Sequence, residues 1–257
     1  MQEFAHTVNV TQDGAVTTLQ FESDHPANVF TLPLLEELTL QIEKLSTDGS
    51  CRALIIKGRD KIFSGGADLT SIQAMDPHTY RTYVEVEYHL FRQVELLPFI
   101  TIASISGACV GNGAELAMAC DLRVASDRAK IGWPELNVAF DAPAQRLARF
   151  VGIGRAKEII FSARLLRADE AHALGLLTTV VTPDELADAT REAATLYASR
   201  PPIGVRLTKE NIERAYPFPM GNASLEIDAA AQAFATADFQ EGADAVLNRR
   251  DPVFTGR

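Results

Sequence analysis

Polar and apolar residues alternate over residues 7–10 and again over 15–21, on either side of Gln12-Asp13-Gly14. Alternation at a period of two buries one face of a strand, and Asp-Gly readily supplies the positive φ of a tight hairpin. The chain is therefore predicted to open with two antiparallel strands. The period then lengthens. Thr31 and Pro33 mark a helix start, and Leu34, Leu35, Leu38, Ile42 and Leu45 recur behind them at helical spacing. Residues 53–57, Ala-Leu-Ile-Ile-Lys, form a short apolar strand pattern. A helix between two strand patterns implies a right-handed crossover and parallel pairing, hence an α/β fold.

Tyr80, Val84, Tyr88, Phe91 and Val94 fall on one face of a further helix, with Arg81, Glu85, Arg92 and Glu95 placed elsewhere. Such a stripe serves as core, and part of it can also line an acyl pocket beside the strand that follows. That strand is the apolar run 99–105, which leads through Gly107-Ala-Cys-Val-Gly111-Asn112-Gly113 into the helix-forming Ala-Glu115-Leu-Ala-Met-Ala. Residues 122–125 and 130–133 read as short strands ended by Pro134. From Ala144 onward the pattern is helical, and Thr182-Pro-Asp-Glu185 is a capping box opening a helix that runs to about Ser199. Two more helices follow near 203–215 and 223–236, and Asp238-Phe-Gln-Glu241 is a capping signal ahead of a last one.

With 257 residues and 47% hydrophobic content, the chain suits one large domain plus a helical tail. Its net charge of −10 argues against nucleic acid as a partner, because phosphate binding needs a basic footprint. Cys51, Cys109 and Cys120 are isolated and outside any C-x-x-C, which fits a reducing, cytoplasmic setting and no disulfide framework. No apolar run approaches the roughly 20 residues of a membrane helix, and no secretory leader pattern opens the chain. The five histidines are scattered, so no metal site is expected.

Two glycine turns carry the candidate chemistry. Gly111, Asn112 and Gly113 let a backbone approach a ligand, and the helix starting there leaves its first N–H groups unpaired at the positive end of its dipole. Without a P-loop lysine or a dinucleotide-type glycine pattern, a developing oxyanion suits this turn better than a phosphate. Gly65-Gly66-Ala67-Asp68 lies at the exit of the preceding parallel strand, where α/β sheets place ligands, although Asp68 could equally cap a helix. Glu115 sits in the first turn of its helix and favours the dipole there, and Glu135 follows Pro134 at a strand end. Lys57, Arg59 and Lys61, ahead of Ala67, are the candidate cations for an anionic ligand end.

The segments Phe63-Ser-Gly-Gly-Ala67-Asp68-Leu69, Gly111-Asn-Gly-Ala-Glu115-Leu-Ala-Met-Ala-Cys-Asp121 and Gly132-Trp133-Pro-Glu135 together resemble the enoyl-CoA hydratase/isomerase, or crotonase, superfamily. Pro26-Ala-Asn28, Ala168-Asp-Glu-Ala-His-Ala-Leu-Gly175 and Arg250-Asp-Pro-Val-Phe254 extend the likeness over nearly the whole chain. The resemblance implies a crotonase-like spiral of ββα turns with a C-terminal helical tail. It implies a core over residues 1–198 with an acyl-thioester site, and a helical trimerisation region over 199–257. The expected assembly is a homotrimer or dimer of trimers, and the partner is an acyl-CoA, with coenzyme A part of the substrate and no separate cofactor.

By the same resemblance, the backbone N–H groups of Ala67 and Asn112 form an oxyanion hole, and Glu115 and Glu135 are the acid/base pair of a hydratase. The remaining positions assigned to the substrate are Asn28, Gly65, Gly66, Asp68, Leu69, Gly111, Trp133 and Asp141. Adding water across an enoyl thioester needs a proton taken from water near Cβ and one given to Cα, while enolate charge gathers on the thioester oxygen. The expected activity is thus a lyase of the enoyl-CoA hydratase type, as in fatty acid metabolism. A crotonase-family isomerase or decarboxylase is the alternative within enzymes, and a non-catalytic acyl-CoA-binding protein the alternative outside them. A serine hydrolase is disfavoured because Ser106 lacks a G-x-S-x-G setting. Many relatives have Gly where Asn112 stands, so its amide can crowd or polarise that corner. The stretch from Leu136 to Gln145 is also shorter than in relatives and lacks glycine, so the wall beside Glu135 has to be rebuilt; Asp141 either enters the site as a third carboxylate or caps the helix at Ala144.

Overall fold

The opening hairpin forms as the alternation predicts, with β1 (His6–Asp13) and β2 (Val16–Ser23) antiparallel across Gly14. The structure, a computed structural model, describes residues 4–143, 145–215 and 220–256. Thr31 caps α1 (Leu32–Ser46), which buries Leu34, Leu35, Leu38, Ile42 and Leu45. At roughly 1.5–3 kcal/mol for each fully buried Leu or Ile, that stripe holds the helix on the sheet. β3 (Ala53–Lys57) then pairs parallel to β2.

From here the chain repeats one manoeuvre. After β3 comes β4 (Ile62–Ser64), then α2 (Leu69–Gln73) and α3 (Pro77–Leu96); after β5 (Ile100–Ile105) comes β6 (Ala108–Val110), then α4 (Asn112–Ala119); after β7 (Leu122–Ser126) comes β8 (Lys130–Gly132). The first strand of each pair joins one sheet and the second joins another. The chain continues through α5 (Gln145–Val151), α6 (Ile153–Ser162), β9 (Leu165–Arg167), α7 (Ala168–Ala173) and β10 (Thr179–Val181). The result is a six-stranded sheet in the order β1-β2-β3-β5-β7-β10 and a four-stranded sheet in the order β4-β6-β8-β9. Every pairing after the hairpin is parallel except that of β8 with β9. This is the expected α/β spiral. The strands of the second sheet, three residues each, are too short for a period to show, which is why sequence patterning marks only β8 among them.

The tail comprises α8 (Leu186–Ala198), α9 (Pro202–Ala215), α10 (Met220–Phe234) and α11 (Ala237–Leu247). The capping box forms, the Thr182 N–H donating to Glu185 Oε2 at 3.1 Å, although one 3₁₀ turn (Pro183–Glu185) precedes α8. The last capping signal is displaced: Thr236, not Asp238, caps α11, its Oγ1 accepting from Phe239 N at 3.0 Å. Asp238 is engaged by the Thr255 and Gly256 N–H groups, and Glu241 by Arg250 and the Val253 N–H.

The tail folds back on the spiral. Lys209 Nζ donates to Asp121 Oδ2 at 2.8 Å, the same carboxyl oxygen that accepts the Thr101 N–H at 2.7 Å. Tyr80 of α3 stacks on Phe234 of α10, and Phe140 lies against Phe239 of α11, both with ring centroids 4.2 Å apart. No helix among the described residues is long and apolar enough to cross a membrane.

Candidate active site

The two glycine turns meet. Gly66 has φ +95°, and a Cβ there would lie 2.9 Å from the Val110 carbonyl oxygen and 3.6 Å from Gly111 Cα. Gly111, at φ +54° and ψ −124°, adopts a conformation essentially closed to residues with a Cβ and hands the chain into α4. The first turn is fixed by Phe30, whose N–H donates to Gly66 O at 2.8 Å and whose carbonyl accepts the Asp68 N–H at 3.0 Å. Those bonds bracket Ala67 and leave its own N–H on the far side. The Asn112 N–H is the first of α4, with no residue a turn earlier to receive it. Neither N–H has a partner among the described residues.

Both residues line a cavity of about 460 Å³. Gly65, Gly66, Ala67, Asp68, Leu69, Gly111, Asn112, Glu135 and Asp141 line it. Tyr80, Tyr83, Val84 and Tyr88 also line it, so one helical stripe divides between core and cavity. Asp68 does cap α2, accepting from Thr70 N at 3.2 Å and from the Ser71 hydroxyl, so its carboxylate is occupied. Ala230, Val246 and Leu247 bring the C-terminal helices to the rim.

Glu135 opens a 3₁₀ turn (Glu135–Val138) beside Gly111, and a Cβ on Gly111 would come 3.0 Å from its Oε1. Both carboxyl oxygens are buried without a hydrogen-bond partner. Burial pushes this carboxyl up to about 8, and the negative fields of Glu115 and Asp141 add to the shift. Its own backbone N–H is the one group that opposes the rise, and a buried acid so little compensated holds its proton to higher pH than an exposed one. That poise is what a proton-transferring group needs.

Glu115 has the opposite surroundings. It is 1% exposed and does not line the cavity. Its Oε1 accepts the indole N–H of the fully buried Trp133 at 2.7 Å, and its Oε2 accepts from Arg146 Nη1 at 3.0 Å. Arg146 also donates through Nε to Glu95 Oε1 at 2.8 Å, and Arg92 to Glu95 Oε2 at 2.8 Å. Burial raises the Glu115 pKa, opposed by Arg146 and Trp133. Three expected site residues are thus placed behind the cavity wall, because Trp133 serves Glu115 and Asn28, fully buried, bonds the Ser23 N–H at 2.7 Å and Phe63 O at 2.8 Å.

The wall beside Glu135 is aromatic. Phe140 packs with Tyr80, Phe234 and Phe239, and Ala139 takes the left-handed conformation at φ +56° to make the turn. Asp141 lies at the rim, its pKa raised by burial, with no hydrogen bond among the described residues; Ala144, the proposed cap acceptor's helix start, lies outside them. Two of the three expected cations, Lys57 and Arg59, do not line this cavity. Arg59 donates to the Ser23 and His25 carbonyls, Lys57 pairs with Asp60, and both line a different cavity beside Ser104 and Thr190. Two residues that patterning overlooked are Tyr83, one helical turn after Tyr80, and Arg146, whose Gln-Arg-Leu setting gave no hint of its partner.

The model of the enoyl-CoA hydratase/isomerase family matches residues 11–257. The short-chain-enoyl-CoA hydratase of Clostridium acetobutylicum is 32% identical over 250 residues, covering 95% of this chain and 96% of its own. The crotonyl-CoA hydratase of Syntrophomonas wolfei is 34% identical over 235 residues, 90% of each chain. Among solved structures, an enoyl-CoA hydratase from Mycobacterium avium subsp. paratuberculosis superposes with a TM-score of 0.88 at 26% identity, covering 96% of this chain and 98% of that one. With matches of this identity spanning the spiral, both glycine turns and the tail, the chain belongs to the enoyl-CoA hydratase/isomerase family and is an enoyl-CoA hydratase-like enzyme.

Proposed function

We propose that the protein moves a proton along the acyl chain of an enoyl-CoA thioester, with Glu135 as the single carboxyl that both takes and returns it. The observation that carries this reading is the pair of unpartnered, buried Glu135 oxygens beside two unpaired N–H groups. The Ala67 and Asn112 N–H groups receive the thioester oxygen and stabilise the enolate that forms when a proton leaves the chain. Glu135 then returns that proton at another carbon, which relocates the double bond. Water addition asks for a second group to hold and deprotonate water, and Glu115 has both oxygens engaged away from the cavity. Coenzyme A belongs to the substrate, and no other cofactor enters the scheme. We assign the exposed apolar side chains Ile153, Phe161 and Ile203 to self-association, the expected trimer.

Hydration is the second reading, favoured by the activities of the named relatives and by Asp141, a rim carboxyl positioned to orient water in place of Glu115. A short panel of 2-enoyl- and 3-enoyl-CoA thioesters in heavy water decides between them. Isomerisation moves the double bond and exchanges deuterium at unchanged heavy-atom composition, whereas hydration adds one water. Absence of conversion and of deuterium exchange across the panel overturns both.

A further inference from the structure

We infer that Tyr83 is a positioning residue that braces the two oxyanion turns against each other. Its phenol oxygen accepts the Asn112 side-chain amide, Nδ2 to Oη, at 2.9 Å, and its own O–H points to the Phe30 carbonyl at 3.5 Å. Asn112 is the residue whose backbone N–H forms one half of the proposed hole. Phe30 is the residue that brackets Ala67, the other half, through hydrogen bonds to Gly66 and Asp68. One buried oxygen thus links the second turn, by its side chain, to the strand that clamps the first.

The surroundings suit a brace rather than a reacting acid. Tyr83 is 1% exposed, stacks near Tyr80 at 6.5 Å between centroids, and is carried on α3, whose apolar face is anchored in the core. Burial pushes its phenol well above the usual range, so it stays protonated and can donate and accept together. A glycine in place of Asn112 would have no side chain to send across. The separation of the two N–H groups in this chain therefore depends on an Asn–Tyr pair.

The inference rests on the oxyanion reading of the proposed function. Its test uses 2,4-hexadienoyl-CoA, whose conjugated thioester absorbs apart from adenine and shifts to the red when its carbonyl is polarised. Tyr83→Phe keeps the ring and removes both hydrogen bonds. Asn112→Ala keeps the backbone N–H and removes the same link from the other end. Each is expected to lower kcat about tenfold with little change in KM, to shrink the red shift of the bound thioester, and to be non-additive in the double variant. A purely structural role would lower the melting temperature and leave the red shift intact, and that outcome, in either variant, overturns the brace. If wild-type protein binds the thioester without any red shift, the oxyanion reading itself falls, a result distinct from a wild-type shift that both variants retain.

Discussion

Glu135 and Glu115 stand on the two sides of one wall. On the cavity side, a carboxyl is buried with no donor from another described residue and its pKa rises to about 8. Behind the wall, a more deeply buried carboxyl has Trp133 and Arg146 on its two oxygens, and Arg146 is shared with Glu95. Burial acts on both. What separates them is whether donors compensate it: an uncompensated buried acid destabilises its own anion and keeps its proton to higher pH, and a compensated one is held in place by its donors. Glu95 shows the compensated limit, since burial raises its pKa but Arg146 and Arg92 outweigh that and hold it below the usual value.

The sharpest test of this contrast is Glu135→Gln. Loss of the Glu135 carboxyl is expected to lower turnover by about 10²–10⁴-fold with thioester binding nearly intact, measured by steady-state kinetics and calorimetry. Equal losses for Glu115→Gln would break the contrast, because the expectation there is a change below about tenfold. Next in size is Ala67→Pro, which deletes an N–H that holds no structural bond and should lower kcat by about 10²–10³-fold. A folded variant of unchanged kcat would remove Ala67 from the hole.

Stability should respond in the reverse order. Arg146→Met strands Glu115 and part of Glu95 as uncompensated buried acids, and chemical unfolding should show a loss of about 3–5 kcal/mol. Glu135→Gln should instead stabilise. The folded protein keeps a proton on Glu135 that the unfolded chain releases above the ordinary carboxylate range, so the wild type loses stability as pH rises from about 4.5 towards 8. The melting-temperature advantage of Glu135→Gln should therefore be near zero below pH 4.5 and grow up to about pH 8. The smallest effect is expected for Asp141→Asn, below about threefold on isomerisation. A much larger loss, confined to water addition, would transfer the second-carboxylate role to Asp141 and favour the hydration reading.

Much of this molecule was legible before any coordinates. The hairpin at Asp13-Gly14, the α1 stripe and the two glycine turns follow from local rules of period, φ and helix ends, whereas the meeting of those turns was implied by the family resemblance. The different surroundings of Glu115 and Glu135 were not legible there, although both match the family motif. Their roles depend on Arg146, thirty-one residues beyond Glu115, and on the indole of Trp133 turning inward. The same holds for Tyr83, whose position in the helical stripe reads as core until Asn112 is seen to reach it.

The sequence by itself determined the opening hairpin, the longer strands and helices, the two glycine turns and the family, because those depend on neighbours within a few residues or on an ordered set of motifs. Only the tertiary structure decided which carboxyl reaches the cavity, where the Lys57 and Arg59 charges go, and how the wall after Glu135 is rebuilt from Phe140, Phe234 and Phe239. The reason is physical: the reactivity of a buried acid is set by the donors within about 3 Å of its oxygens, and here those donors come from elements distant in the chain.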